Sequence, residues 1–425
     1  MSTFTITQNQ NSTYNITGSH NTWILKQGHQ VVTSFGDGIF EASSLSDNNY
    51  IVKGSVSASG FMVSAMVLGG DDADVTIAKG GVIEGRKGIM SYGDNATISN
   101  SGKIDVDETG VEIHGAHSSM VNHGSITSVA TAALSVLNVD SFSFVNDGKI
   151  TGARGIYSEA ADLVVKLGKH SVIETSGVTI ETVTAYNETA KIINKGEMSA
   201  DGNIFSLVIE GHDGNETVRN SGTINGSISL GGSSDTYNGR GGHVIGVING
   251  GDGSDTYILD NKKDYVFEAA DQGHDKLTVS FSMTLGNDNH IETIYLSGKR
   301  NVDLHGNDDG NSLIGNSGNN SLSGDAGNDW LRGGRGTDFL TGGEGVDMFE
   351  FATRNGKEIV TDFLDGVDTL QLDMGANHDI TSVQDLLAHH THQNGADLVI
   401  SGDGTTMIIR NFDRSDLTIA DFTLD

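Results

Sequence analysis

Cysteine and proline are both absent from the 425 residues, and cationic side chains are scarce: 25 Lys and Arg stand against 56 Asp and Glu, a formal net charge of −31. Without cysteine there is no disulfide framework, no thiolate-ligated zinc or Fe–S cluster and no cysteine nucleophile. Without proline there is no slow cis/trans step in folding and no backbone donor lost from a sheet ladder, which suits long, uninterrupted strand stacking. The acid excess disfavours nucleic acid and anionic membranes as partners and makes cations the expected ones. Long apolar runs are missing too. No stretch approaches the ~18 residues of a transmembrane helix. The start, Met1-Ser2-Thr3-Phe4-Thr5-Ile6-Thr7-Gln8-Asn9, has neither a basic region nor an apolar core, so no secretory signal peptide is expected.

What is present is repetition. Asn-x-Gly-x-Ile recurs at Asn100–Ile104, Asn122–Ile126, Asn146–Ile150, Asn194–Met198 and Asn220–Ile224, with weaker copies at Gly80–Ile83 and Lys169–Ile173, at spacings of 21–26 residues. Apolar positions alternate with period two, so the segments are strands. Short strands with turn residues in fixed places match one coil of a right-handed parallel β-helix. Identical Asn side chains at one corner of successive coils are expected to form an amide hydrogen-bond ladder, each followed by a Gly at positive φ. Residues 1–35 fit the register poorly and read as an N-terminal cap; residues 36–249 read as the β-helix.

From residue 305 a stricter period of nine takes over: His305–Leu313, Ile314–Leu322, Ser323–Leu331, Arg332–Leu340 and Thr341–Phe349. Its columns follow Gly-Gly-x-Gly-x-Asp-x-apolar-x, and an isolated copy begins at Gly250. Six residues make a turn and three a short strand, so two repeats form one flattened coil and turns stack two repeats apart. That places Asp329 against Asp347 and Asn320 against Asp338. Calcium, a hard cation that takes six or more oxygens, fits between such turns. The expected ligating positions are Asn320, Gly324, Asp325, Gly327, Asp329, Gly333, Gly334, Gly336, Asp338, Gly342, Gly343, Gly345 and Asp347, with Gly253 and Asp255 in the isolated copy. Asn311 and Asn320, standing in Asp positions, mark weak or calcium-free turns. The inward apolar column is a thin core, so the region should be unfolded without the ion.

Residues 250–425 resemble the C-terminal region of RTX (repeats-in-toxin, haemolysin-type calcium-binding) proteins. The likeness includes a spacer (250–304, with Gly273-His274-Asp275-Lys276-Leu277 and Glu292–Gly298), the calcium-binding β-roll (305–349) and a cap with a type I secretion signal (350–425). The cap carries Ile359–Leu370, a short helix at Ser382–His390 and an acidic-apolar end at Ala420–Asp425. The resemblance implies an all-β chain leaving a Gram-negative cytoplasm unfolded through an ABC transporter and folding on extracellular calcium, secreted or held at the cell surface.

The coils resemble, less specifically, β-helices of adhesins and, more distantly, of polysaccharide lyases and epimerases. An adhesive, structural or host-interaction module is expected, with a surface glycan or self-association as its partner; the alternative is a carbohydrate-active enzyme. Aligning the coils groups Tyr92, His114, Leu137, Glu159 and Glu181 in one outward column, of which His114, Glu159 and Glu181 are candidate catalytic residues. Ordinary solvent-facing positions are the simpler account. The same holds for Glu112, His114 and His117, for the tract His389, His390 and His392, and for the acidic turn Asp71, Asp72 and Asp74.

Overall fold

The computed structural model describes residues 2–352, 355–372, 380–402 and 404–424. It is all-β with one short α-helix, and it divides into two compact units, Met1–Asp252 with Lys263–Val266, and Gly253–Lys262 with Phe267 onward.

In the first unit each coil supplies three short strands, such as Thr97–Asn100, Lys103–Val106 and Val111–Ile113, each paired parallel with the equivalent strand of the next coil. Residues 3–33 already contribute such strands: Thr3–Ile6 pairs in register with Thr22–Leu25, and Gln30–Thr33 with Ser55–Ala58. Alternation puts one side chain in two inside, and parallel register stacks like on like. Ile83, Ile104, Ile126, Ile150, Ile173, Met198 and Ile224 form one fully buried column. Each such side chain contributes about 1.5–3 kcal/mol of burial. In two coils the corner between the second and third strands straightens, giving the long strands Ser125–Val136 and Lys149–Ser158, whose pairing shifts register between Ser128 and Ala132.

The Asn column forms the ladder its spacing predicts. Asn100 Nδ2 donates to Asn122 Oδ1 at 2.8 Å, Asn122 Nδ2 to Asn146 Oδ1 at 2.6 Å, and Asn194 Nδ2 to Asn220 Oδ1 at 2.9 Å, all fully buried. The weak copy breaks it: Leu167 occupies the column between Asn146 and Asn194, and Asn146 Nδ2 turns to Ser171 Oγ at 2.5 Å. The following glycines differ from expectation. Gly102, Gly124, Gly148, Gly196 and Gly222 are not at positive φ. A Cβ on Gly124 would instead overlap the Gly102 carbonyl oxygen, and one on Gly148 that of Gly124. Close approach of stacked coils, not backbone handedness, requires glycine there.

In the second unit the coils thin to two strands. One face runs through Ser312–Ile314, Trp330–Arg332, Met348–Phe351 and Thr369–Leu372; the other through Leu304–His305, Ser321–Ala326, Thr337–Glu344 and Gly356–Val360. Leu313, Leu322, Leu331, Leu340 and Phe349 all point inward and are fully buried. The expected helix is Val383–His389, capped by Ser382 Oγ, which accepts from the Asp385 amide. Phe422–Leu424 pairs parallel with Thr369–Leu372; Asp425 lies outside the described residues.

Candidate metal centre

The nonapeptide turns stack two repeats apart, held by a bond that the repeat itself dictates: the Asp side chain of one turn accepts from the main-chain amide at the same position of the turn before it. On one edge Asn311 N donates to Asp329 Oδ1 (2.7 Å), Asp329 N to Asp347 Oδ1 (3.0 Å) and Asp347 N to Asp368 Oδ1 (3.0 Å). On the other, Asn320 N donates to Asp338 Oδ1 (2.7 Å), and Asp338 lies in register with Glu358. The glycines make room. Gly327, Gly336 and Gly345 have φ of 100°, 130° and 148°, and Gly334 and Gly343 are also left-handed; Asp325 takes that conformation in the Gly position of its own repeat. Cβ atoms on Gly324 and Gly342 would overlap the carboxylates of Asp329 and Asp347, and one on Gly333 that of Glu358.

Each Asp has used one oxygen. The other, Oδ2 of Asp329, Asp338 and Asp347, is buried with no hydrogen-bond partner, as are both oxygens of Glu358. A buried carboxylate without a partner is expensive, and the protonation equilibria record it. Burial pushes Asp329 up to about 7 against the Asn311 amide, with Asp347 and Asp325 adding to the rise. Asp338 is likewise pushed up to about 7 by burial, against the Asn320 amide. Burial, then the charges of Asp338 and Glu350, pushes Glu358 up to about 9. Asp347 and Asp368 are raised by burial as well. Orphaned oxygens, left-handed glycines and an oxygen-only donor set fit a hard divalent cation.

The Asn turns have no such deficit. Asn320 Oδ1 accepts from the Asn316 amide at 2.9 Å and Nδ2 donates to the Val302 carbonyl at 2.6 Å; Asn311 does the same with the Asn307 amide and the Ile291 carbonyl. An amide supplies the donor that a carboxylate lacks.

The match to known proteins falls on the same stretch. Residues 305–340 and 314–349 match the family model described as the RTX calcium-binding nonapeptide repeat (4 copies). Residues 305–349 are RTX calcium-binding nonapeptide repeats. No curated protein sequence is detectably similar to the chain. Among solved structures, the extracellular lipase LipA from Serratia marcescens is similar at 16% sequence identity over 56% of this chain and 45% of the lipase chain, with a TM-score of 0.19. The chain therefore matches less than half the length of that lipase.

Outside the RTX block, Gly253 and Asp255 stack on Gly273 and Asp275, the Asp255 amide donating to Asp275 Oδ1 at 2.8 Å. The outward column of the coils is corrected in one place. Tyr92 stacks on His114 at 4.7 Å, and Leu137 and Glu159 follow in line, but the next coil is two residues longer: Ile156 pairs with Ile180, so Glu181 lies beside Tyr157 and Val183 follows Glu159. Glu159 accepts from Tyr157 Oη at 2.6 Å, while Glu181 pairs with Arg154 at 3.1 Å. His114 Nε2 contacts Glu112 at 2.8 Å, and His117 sits in a left-handed turn. Asp71 Oδ1 accepts from the Asp94 amide. His389 and His390 are held by Asp385 and the Ser401 carbonyl. Sequence reasoning missed Glu358, Asp368 and Asp362, whose carboxylate accepts from the Gly342 and Gly343 amides, as members of the acidic stack, because the segment after Phe349 leaves the nine-residue phase.

Proposed function

We propose that this is a type I-secreted protein whose RTX roll is a calcium-triggered folding device for an adhesive or structural β-helix. The observation that carries the reading is the set of orphaned carboxylate oxygens on Asp329, Asp338 and Asp347. These residues, with the carbonyls of the neighbouring glycines, would hold calcium, which supplies the counter-charge the turns lack. In a cytoplasm poor in free calcium the roll stays open and threadable; outside, it closes. Among the described residues no helix is long and apolar enough to cross a membrane. The terminal strand Phe422–Leu424 is paired in the folded roll, so an exporter would read it before folding.

For the coils, binding is supported by a groove lined by Thr109, Thr131, Ser135, Arg154 and Tyr157, with the Arg154 guanidinium 5.4 Å from the Tyr157 ring centroid. An aromatic face ringed by hydroxyls and a guanidinium suits a glycan. Two experiments test the reading. In a Gram-negative host carrying a type I exporter, the full chain should reach the medium and a chain lacking residues 420–425 should stay inside; equal export would overturn the route. Calorimetric titration with acidic and neutral polysaccharides should give binding that Tyr157→Ala abolishes. Turnover of a uronate polysaccharide lost in Glu159→Gln would replace the binding role by an enzymatic one.

A further inference from the structure

At one place in the coils the sign of the surface charge is reversed. The strands Asp162–Leu167, Thr189–Asn194, Asn215–Asn220 and Thr236–Asn238 stack in parallel, and Lys166, Ile193, Arg219 and Asn238 form one outward column, with Lys191 beside it. Lys195 and Arg240 follow at the corners of two of these coils. Lys166, Lys195, Arg219 and Arg240 are exposed, and none forms a salt bridge with a described residue. In a chain with 56 acids for 25 cations that needs a reason, because other cations of the coils find acids: Arg86 pairs with Glu108 at 2.6 Å, Lys149 with Glu174 at 2.8 Å and Arg154 with Glu181 at 3.1 Å. Asp162, at the far end of its strand, accepts from Thr189 Oγ1. Lys195, Arg219 and Arg240, each from a different coil, line an open pocket of about 450 Å³ with Ile193, Ser221 and Asn238, and no acid lines it. Asn238 Oδ1 accepts from the Arg240 amide at 3.2 Å, which leaves its Nδ2 as a further donor.

We infer that Lys195, Arg219 and Arg240 bind a sulfate ester of a sulfated polysaccharide, at a site separate from the Tyr157 groove. Like charges held together without counter-charge repel one another, and an anion between them removes that cost. A carboxylate has two oxygens and is satisfied by a single guanidinium fork. Three cations brought to one pocket from three coils match an anion with three terminal oxygens. A phosphate monoester has those oxygens too, but it carries a charge of about −1.5 to −2 and is itself a hard-oxygen ligand for calcium. A sulfate ester carries one charge and stays free in a calcium-bearing medium. The neutral part of the lining, Ile193, Ser221 and Asn238, suits the carbon face and hydroxyls of a sugar. Stacked coils repeat every 4.7–4.9 Å or so, so a chain laid along the column passes from Arg219 toward Lys166. The acid of a second copy is the poorer occupant, since Asp329, Asp338 and Asp347 of the roll are buried. The site depends neither on ions in the roll nor on the groove.

Calorimetric titration of the full chain in calcium chloride, with one polymer backbone in four forms, tests the site: dextran sulfate, phosphorylated dextran, carboxymethyl dextran and unmodified dextran. Dextran sulfate should bind most tightly. Lys195→Gln, Arg219→Gln and Arg240→Gln should each weaken it by about tenfold, the loss of one charge-assisted hydrogen bond. Arg219→Lys, which keeps the charge and loses the fork, should recover part of that loss. Tyr157→Ala should leave dextran sulfate binding unchanged: the carboxylate and neutral polysaccharides offered to the groove carry no tetrahedral anion, so the two sites are read separately. Unchanged affinity in all three Gln variants would overturn the site. Equal binding of carboxymethyl dextran would overturn the match to three oxygens, and tighter binding of phosphorylated dextran the choice of sulfate. Loss of dextran sulfate binding in Tyr157→Ala would put the ligand in the groove instead. Sedimentation of the unliganded chain should show no association that depends on these cations; a dimer lost in the Gln variants would make a second copy the occupant.

Discussion

The two units stack parallel coils around a polar column and differ in what that column can do for itself. In the coils the residue is Asn, donor and acceptor together, so Asn100, Asn122 and Asn146 satisfy one another rung by rung. In the roll it is Asp, acceptor only. Oδ1 finds the amide of the preceding turn and Oδ2 finds nothing. One architecture is thus closed and neutral, while the other is left open to be completed by an ion. The roll contains its own control, since Asn311 and Asn320 occupy the Asp position and are satisfied within the protein.

The largest expected effect comes from removing the ion. In a calcium chelator, hydrogen exchange should show amide protection lost over residues 305–349 and kept over 97–224; loss of both together would erase the distinction. Next, replacing Asp329, Asp338 and Asp347 by Asn should give the roll the self-sufficiency of the coils. Its thermal midpoint should stop responding to calcium, and the chelated variant should be more stable than chelated wild type by about 1–3 kcal/mol. The converse exchange, Asn122→Asp, removes a donor from a buried ladder and introduces an unpaired charge. It should cost the coils about 3 kcal/mol in denaturant unfolding, and calcium should not restore it.

Acid sharpens the contrast further. The folded-state values of Asp329 and Asp338, about 7, lie above the ordinary carboxylate value of 3.8, so the fold disfavours their ionised form. Without calcium the roll should be most stable below about pH 4 and lose stability as the pH rises to about 7, and Glu358, near 9, extends the loss further. With calcium the trend reverses, because protons compete for the same oxygens. Circular dichroism against pH, with and without chelator, measures both.

The strands, the Ile and Leu columns, the Asn ladder and the stacking of Asp329 on Asp347 were legible because each is a repeat, and parallel stacking turns a sequence period into a spatial neighbour. What escaped was whatever changed the period. The coil from Ile156 to Ile180 is two residues longer than the one before it, which moved Glu181 out of line with Glu159. Glu358 follows Asp338 by 20 residues where the roll advances by 18. The straightened corner in Ser125–Val136 is a backbone event without a sequence mark, and the glycines after each Asn were read as turn-formers because close packing between coils is invisible along one chain.

Both ladders also point one way. Asn100 donates to Asn122, Asn311 to Asp329, Asp329 to Asp347 and Asp347 to Asp368: at each step the earlier rung gives the proton and the later one receives it. A rung is finished only by chain that comes 18–26 residues after it. For a polypeptide emerging from its amino end, the last rung to appear is the one that lets those before it close. Cutting the chain ahead of Asp368 would therefore strip the Asp347 amide of its acceptor, and the loss would run backwards along the edge toward Asn311.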